Sequence, residues 1–218
     1  MREEKIIQIL KKIDALVVND HFVYTSGKHG SAYIRKDKLY PFTKLTSKVC
    51  KMIAEQVKDW GIEIVVGPSV GGIVLSQWTA YHLSHITKKE VLSVFTEKSY
   101  DDVAIYDLQQ KFKRGYDALV KGKRALVVED LTNTGDSVKK VVEQVKNAGG
   151  TVVGVYVLVN RNPLDVHSEK MGAPFHSLGV FRAEAWDEKD CPLCKKGIPV
   201  NTTVGHGKEF LGKITENE

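Results

Sequence analysis

Two adjacent carboxylates followed by a loop of small hydroxyl residues form the most chemically loaded stretch of the chain: Glu129 and Asp130, then Thr132-Asn133-Thr134-Gly135-Asp136-Ser137. The acids close a short apolar run, Ala125-Leu126-Val127-Val128, which reads as a buried parallel strand. Valines at 138, 141, 142 and 145 then recur at the spacing of one helical face, and Asn147 with Gly149-Gly150 supplies a stop. Unpaired N–H groups of a loop at a helix N-terminus, together with the positive end of the dipole, bind phosphate. Two carboxylates just before that loop can accept hydrogen bonds from sugar hydroxyls or hold a hydrated metal ion. A sugar phosphate is the ligand that needs both halves at once. The plain alternative is an ordinary strand–turn–helix with solvated acids. A lone Thr-Gly would satisfy that alternative; acid-acid-x-x-x-Thr-Gly after paired valines is far more restrictive.

Other residues extend this chemistry. Ile62–Val66 reads as a strand running into Gly67-Pro68-Ser69-Val70-Gly71-Gly72 and then a helix, a second phosphate loop or simply a tight turn. A strand over 91–95 ends in Thr96-Glu97-Lys98, and a strand over 151–160 ends at Arg161. In a parallel sheet the ligand crevice lies beyond the carboxyl ends of the strands, so Ser69, Lys98, Glu129 and Arg161 are expected to converge there. An arginine in that place offers a planar two-pronged donor for a carboxylate, or else pairs with Asp165. The long polar segment 99–118, carrying Lys111, Lys113 and Arg114, suits a mobile lid.

The elements that must position these groups alternate strand and helix, which gives an α/β fold, a doubly wound and mostly parallel sheet with helices on both faces. Residues 3–18 read as an amphipathic packing helix, and 43–60 as another starting near Thr43. Between them, Phe22-Val23-Tyr24 and Tyr33-Ile34 read as short strands around a Ser26–Gly30 turn, a basic β-hairpin with Lys28 at its tip. A single domain is expected over 1–218: helix and hairpin in 1–42, an α/β core in 43–165, and a tail in 182–218.

Residues 125–137 closely resemble the phosphoribosyl-pyrophosphate (PRPP) motif of type I phosphoribosyltransferases. The hairpin, F-x-x-x-S-G-K-H-x-x-x-Y-I, resembles the N-terminal hood of the orotate-specific members. There are departures. Thr25 stands where many members carry a lysine, Val70-Gly71 where they often have Tyr-Lys, and the lid lacks the common lysine–histidine–glycine pattern. The resemblance implies transfer of phosphoribosyl from PRPP to orotate, giving orotidine 5′-monophosphate and pyrophosphate. It implies PRPP contacts from Ser69, Gly71, Gly72, Lys98, Arg114, Glu129, Asp130, Thr132, Asn133, Thr134, Gly135, Asp136 and Ser137. Orotate would meet Lys28, Asn133 and Arg161. Catalysis would fall to Lys98, Asp130 and Glu129, with Mg2+ held mainly by PRPP and water rather than by protein ligands. A homodimer follows from lid sharing in the resembled family. Two rivals remain: transfer to another base such as a purine, and a non-catalytic PRPP sensor.

With 218 residues, a net charge of +5 and 42% hydrophobic content, the chain can bury a sizeable core. The basic residues are too scattered to argue for nucleic acid. No stretch approaches eighteen apolar residues, and the N-terminus lacks the apolar core of a signal peptide. Cys50, Cys191 and Cys194 are too few for a disulfide scaffold, and a cytosolic protein is expected. Cys191-Pro192-Leu193-Cys194 reads as half a zinc site, a redox pair or a knuckle-like turn, with His206 and Cys50 as the available zinc partners. The stretch after it reads as a surface-hugging tail.

Overall fold

The computed structural model describes residues 4–24, 26–99 and 109–215. In chain order these form α1 (Lys5–Lys12), β1 (Leu16–Val23), β2 (His29–Ile34), α2 (Thr43–Val57), β3 (Ile64–Pro68), α3 (Gly71–Thr87) and β4 (Leu92–Ser99). There follow β5 (Gln109–Phe112), α4 (Tyr116–Val120), β6 (Arg124–Thr132), α5 (Asp136–Asn147) and β7 (Thr151–Asn160). The chain ends with α6 (Ser168–Met171), β8 (Phe175–Val180), β9 (Ala185–Trp186), α7 (Pro192–Lys195) and α8 (Gly207–Thr215). It divides into two units, one of residues 1–6 and 39–181, the other of 7–38 and 182–218.

The first unit is built on a six-stranded sheet in the order β5-β4-β3-β6-β7-β8. All neighbouring pairs are parallel except β4–β5, which is antiparallel. The reason lies in the strand sequences: β6 and β7 are near-continuous apolar runs, fit to be covered on both faces. The four valines of α5 are fully buried against Val127, Val155 and Val157 of this sheet, as the helical spacing predicts. From β3 the chain moves outward to β4 and β5, then returns to lay β6 on the other side of β3. That reversal puts the topological switch point between the carboxyl ends of β3 and β6.

Two expectations for this unit change. The strand of Ala125–Val128 does not stop at the acids but continues through Glu129 and Asp130 to Thr132, paired with β7 as far as Thr132↔Asn160. The polar segment 99–118 is not loop throughout: β5 pairs with β4, and α4 follows. Gln110 is buried there because its Oε1 accepts a hydrogen bond of 2.7 Å from Thr96 Oγ1, so a polar strand is satisfied internally. The part of the expected lid at 100–108 lies outside the described residues.

The second unit holds a three-stranded antiparallel sheet, β1-β2-β9. Here the expected helix 3–18 is shorter. Asp14 takes a left-handed conformation with φ 52, α1 ends, and Leu16-Val17 open β1 instead. The tail does not merely lie on a surface. It supplies β9, which pairs with β2 at His29↔Trp186, and it is tied to β1 by Asn201 N–H donating to His21 O (2.7 Å) and His206 N–H to Val23 O (2.9 Å). Among the described residues, no helix is long and apolar enough to cross a membrane.

Candidate active site

The switch point is where the two glycine-bearing loops of the sequence meet the acids. Asp130, 1% exposed at the end of β6, accepts a 2.5 Å hydrogen bond on Oδ2 from the Tyr40 hydroxyl. The loop after β3 closes on the same pair. A Cβ at Gly71 would fall 2.2 Å from Asp130 Oδ2 and 2.2 Å from the Tyr40 oxygen, so only glycine lets the backbone come this near. Ser69 N–H donates to Thr96 O (2.8 Å), which anchors the loop to β4, and the Ser69–Val70 peptide is cis. Behind it, Gly67 and Gly72 touch backbone to backbone; a Cβ on Gly67 would sit 2.2 Å from Gly72 O.

The second loop begins inside β6. Asp130 N–H donates to Glu129 Oε1 (2.9 Å) and Leu131 N–H to Asp130 Oδ1 (2.7 Å), which fixes both acids against their own backbone. Thr132 Oγ1 is buried with no hydrogen-bond partner among the described residues. Asn133 and Thr134 are exposed, Gly135 turns the chain at φ 84, and Asp136 and Ser137 open α5 with their side chains in solvent. A left-handed residue at that N-cap is why position 135 suits glycine. Thr134 Oγ1 lies 3.5 Å from Asp136 N. Exposed Asn133, Thr134, Asp136 and Ser137 thus sit at the start of a twelve-residue helix, a place whose free N–H groups can bind phosphate oxygens.

The structure brings Arg161 to this edge through its backbone, whose N–H donates to Thr132 O at 2.9 Å. Asn160 shapes the turn behind it, donating from Nδ2 to Val166 O (3.0 Å) and accepting on Oδ1 from Asn162 N (3.0 Å). Lys98 is exposed on β4, opposite Gln110 of β5. Arg114, at φ 64, donates from Nε to Glu97 Oε1 at 3.1 Å and holds its guanidinium 6.0 Å from the Phe95 ring centre. That exposed contact ties Arg114 to β4. Lys28 belongs to the second unit, where its Nζ stands 3.6 Å from Asp187 Oδ1 on the surface. Thr25 lies outside the described residues.

Tyr40 and Asn160 are the site-building residues that motif reading passes over. A cavity of about 860 Å³ opens at the opposite, amino-terminal edge of the sheet, beside Ile62, Leu92 and Lys123, and takes no part in this arrangement.

A family model described as the phosphoribosyl transferase domain matches residues 36–172, which contain both loops, the acids and Arg161. The chain belongs to this family. The phosphoribosyl transferase match thus spans the whole switch point and stops short of the cysteine pair. The chain is 34% identical over 200 residues to the orotate phosphoribosyltransferase of Caldanaerobacter subterraneus subsp. tengcongensis, covering 92% of this chain and 96% of the relative. It resembles the crystal structure of Mycobacterium tuberculosis H37Rv orotate phosphoribosyltransferase in complex with PRPP, with TM-score 0.58 and 20% identity over 81% of this chain and 94% of that one. It also resembles the adenine phosphoribosyltransferase of Thermoanaerobacter pseudethanolicus, with TM-score 0.60 and 19% identity over 80% and 99%. Such low identities speak for the fold alone, and two different bases are served on it.

Proposed function

We propose that the protein is an orotate phosphoribosyltransferase, moving the phosphoribosyl group of PRPP to N1 of orotate and releasing pyrophosphate. The observation that carries this is the buried Asp130, clamped by Tyr40 and Gly71 beside an exposed phosphate-type loop, in a chain aligned along nearly its full length with orotate-specific relatives. The bond from C1′ to the pyrophosphate oxygen breaks and the bond from C1′ to N1 forms.

Each residue has a task in this reading. Backbone N–H groups and hydroxyls of 132–137 bind the 5-phosphate of the ribose. Glu129 and Asp130 accept hydrogen bonds from the ribose hydroxyls, and their charge suits the oxocarbenium character that C1′ gains as pyrophosphate departs. The backbone around Ser69, Gly71 and Gly72 binds the pyrophosphate. Lys98 neutralises charge building on that leaving group, with Arg114 in reserve once released from Glu97. Arg161 receives the orotate carboxylate in two-pronged fashion, helped by Asn133. The buried carboxylates of Glu129 and Asp130 offer hard oxygens that fit Mg2+, which would keep most of its shell as water and phosphate oxygens. Bound there, Mg2+ would supply charge neutralisation for the leaving pyrophosphate.

The proposal also takes both units as one catalytic domain, supported by relatives that align over 92% of the chain, and takes the protein to act as a cytoplasmic homodimer. The test mixes protein, magnesium, PRPP and orotate and follows orotate absorbance together with pyrophosphate release. Matched loss of orotate and gain of pyrophosphate is expected. Turnover only with adenine or another base would replace orotate as substrate. Silence with every base while PRPP still binds would make the protein a sensor.

A further inference from the structure

Four ligand-type side chains that the phosphoribosyl chemistry does not use come together in the second unit. They are His21 of β1, His29 of β2, Cys191 at the N-cap of α7 and Cys194 within α7. One donor atom from each lies within 4.8 Å of all the others. His21, His29 and Cys191 are at most 1% exposed. The fold explains how they meet. Val23 pairs with His29 across the hairpin, and His21, in the irregular stretch of β1 just before this pairing, brings its ring to 5.0 Å from that of His29. The β2–β9 pairing then carries the chain past Trp186 to the cysteines. His206 and Cys50, the partners the sequence offered, are not members of the group.

We propose that His21, His29, Cys191 and Cys194 form a Cys2His2 zinc site that fastens the tail to the N-terminal hairpin. Around a tetrahedral zinc with Zn–N of about 2.0–2.1 Å and Zn–S of about 2.3 Å, nitrogen and sulfur donors stand about 3.5 Å apart. Here Cys191 Sγ and Cys194 Sγ lie 3.6 Å and 3.7 Å from His21 Nε2, and Cys194 Sγ lies 3.4 Å from His29 Nδ1. The His21 Nε2 to His29 Nδ1 distance of 2.8 Å is that of a shared proton. It widens by about half an ångström when an ion takes the proton's place.

The protonation pattern points the same way. His21 Nδ1 is 2.7 Å from Ile198 O, and a carbonyl only accepts, so Nδ1 carries the hydrogen and Nε2 faces the cluster as a lone pair. A backbone carbonyl that fixes the tautomer in this manner is the usual support of a metal-bound imidazole. His29 Nε2 is buried without a hydrogen-bond partner among the described residues, its ring edge-on to Phe210 at 4.9 Å. With Nδ1 on the metal, Nε2 holds the proton. Mixed thiolate and imidazole donors select zinc over the hard cations, and the ion belongs to different chemistry from Mg2+. Loading releases one proton from each thiol to solvent, and both imidazoles stay neutral. A unit whose third strand is two residues long gains from such a clasp.

The test is independent of turnover. The full chain, purified without chelator from zinc-replete medium, is expected to hold one zinc per chain by elemental analysis. Exchange into cobalt is expected to give thiolate-to-cobalt charge-transfer bands and strong tetrahedral ligand-field bands. Cys191→Ser and Cys194→Ser should each lose both signatures, and Cys50→Ala should keep them. Because a serine variant can fail to fold, the wild type is also titrated with a strong chelator, and two thiols per chain should become reactive in step with zinc release. A chain that takes up no zinc on reconstitution, its cysteines free or joined as a disulfide, overturns the site. So does full zinc retention in a folded Cys191→Ser variant.

Discussion

Replacing Gly71 by alanine probes the closest approach in the candidate active site. The new Cβ would lie 2.2 Å from both Asp130 Oδ2 and the Tyr40 oxygen, and 3.1 Å from Tyr40 Cζ. Ordinary contact needs about 3.5 Å, so the carboxylate, the phenol or the loop must shift by more than an ångström. Forced overpacking of this kind costs about 1–3 kcal/mol. Breaking the hydrogen bond from Tyr40 to the carboxylate costs about 1.5–3 kcal/mol. At 1.36 kcal/mol per tenfold, Gly71→Ala should lower kcat/KM for PRPP roughly ten- to hundredfold, and Tyr40→Phe by a similar factor. The double variant decides the mechanism. Phenylalanine at 40 removes one of the two clashing oxygens and untethers Asp130, which can then swing from the new methyl group. The two losses should therefore be less than additive, by about 1 kcal/mol. Steady-state kinetics with PRPP varied at saturating orotate reads this, and circular dichroism confirms the fold. Fully additive losses, or a Gly71→Ala enzyme with unchanged PRPP kinetics, would refute the convergence of Gly71, Tyr40 and Asp130 on the ribose.

Arg161→Ala should raise the KM for orotate about tenfold or more and leave that for PRPP nearly unchanged, since a lost hydrogen bond to a charged group costs about 1.5–3 kcal/mol; equal effects on both substrates would make Arg161 structural. Lys98→Ala should lower kcat with the melting temperature unchanged, because the side chain is exposed on β4, and wild-type turnover would remove Lys98 from the mechanism. Gly154→Ala would put a Cβ 2.4 Å from the Trp60 ring. The cost of about 1–3 kcal/mol should lower Tm by about 2–4 °C for each kcal/mol, and an unchanged Tm would show that Trp60 moves freely. Burial pushes the Cys50 thiol from 9.0 up to about 12. A group whose pKa is raised on folding gives its stability below the unfolded value. That stability is thus fully present below pH 9 and is lost as pH climbs from 9 towards 12. The Tm of wild type should fall more steeply over that range than the Tm of Cys50→Ala; parallel curves would contradict it.

The two sites differ in how far the sequence discloses them, and the reason is range. Phosphate recognition needs consecutive backbone N–H groups on one loop, so residues 129–137 carry their chemistry as a contiguous string, and apolar periodicity names the strand and helix that frame it. Even there the boundary slips. Glu129 and Asp130 look like a strand's end because they are charged, yet their own backbone N–H contacts and the pairing with β7 keep them in the sheet. Gln109–Phe112 escapes notice because no apolar alternation marks it; Gln110 is held by a hydrogen bond from Thr96, and only Phe112 of the four is apolar. Tyr40 is silent in sequence for another cause. Its partner Asp130 is 90 residues away, and nothing around Leu39-Tyr40-Pro41-Phe42 signals a ligand.

Cys191 and Cys194 are legible as a pair, and their partners are not. His21 and His29 sit 170 and 165 residues from the cysteines they approach, on strands where a polar residue excites no suspicion. Only the antiparallel pairing of β2 with β9, two residues long, discloses the set. Such a short pairing orders a tail poorly by itself, because each fixed residue costs about 1–2 kcal/mol of backbone entropy. Yet the tail residues from Arg182 onward hold definite contacts with β1 through Asn201 and His206. A cross-link at the four ligands shortens the loop that those contacts must close and so lowers their entropic cost. Stripping the metal should accordingly loosen residues 182–215 before the parallel sheet, seen as early hydrogen exchange at Asn201 and His206 while Val127 and Val157 stay protected. Simultaneous loss of protection in both groups would mean that the clasp is not what orders the tail.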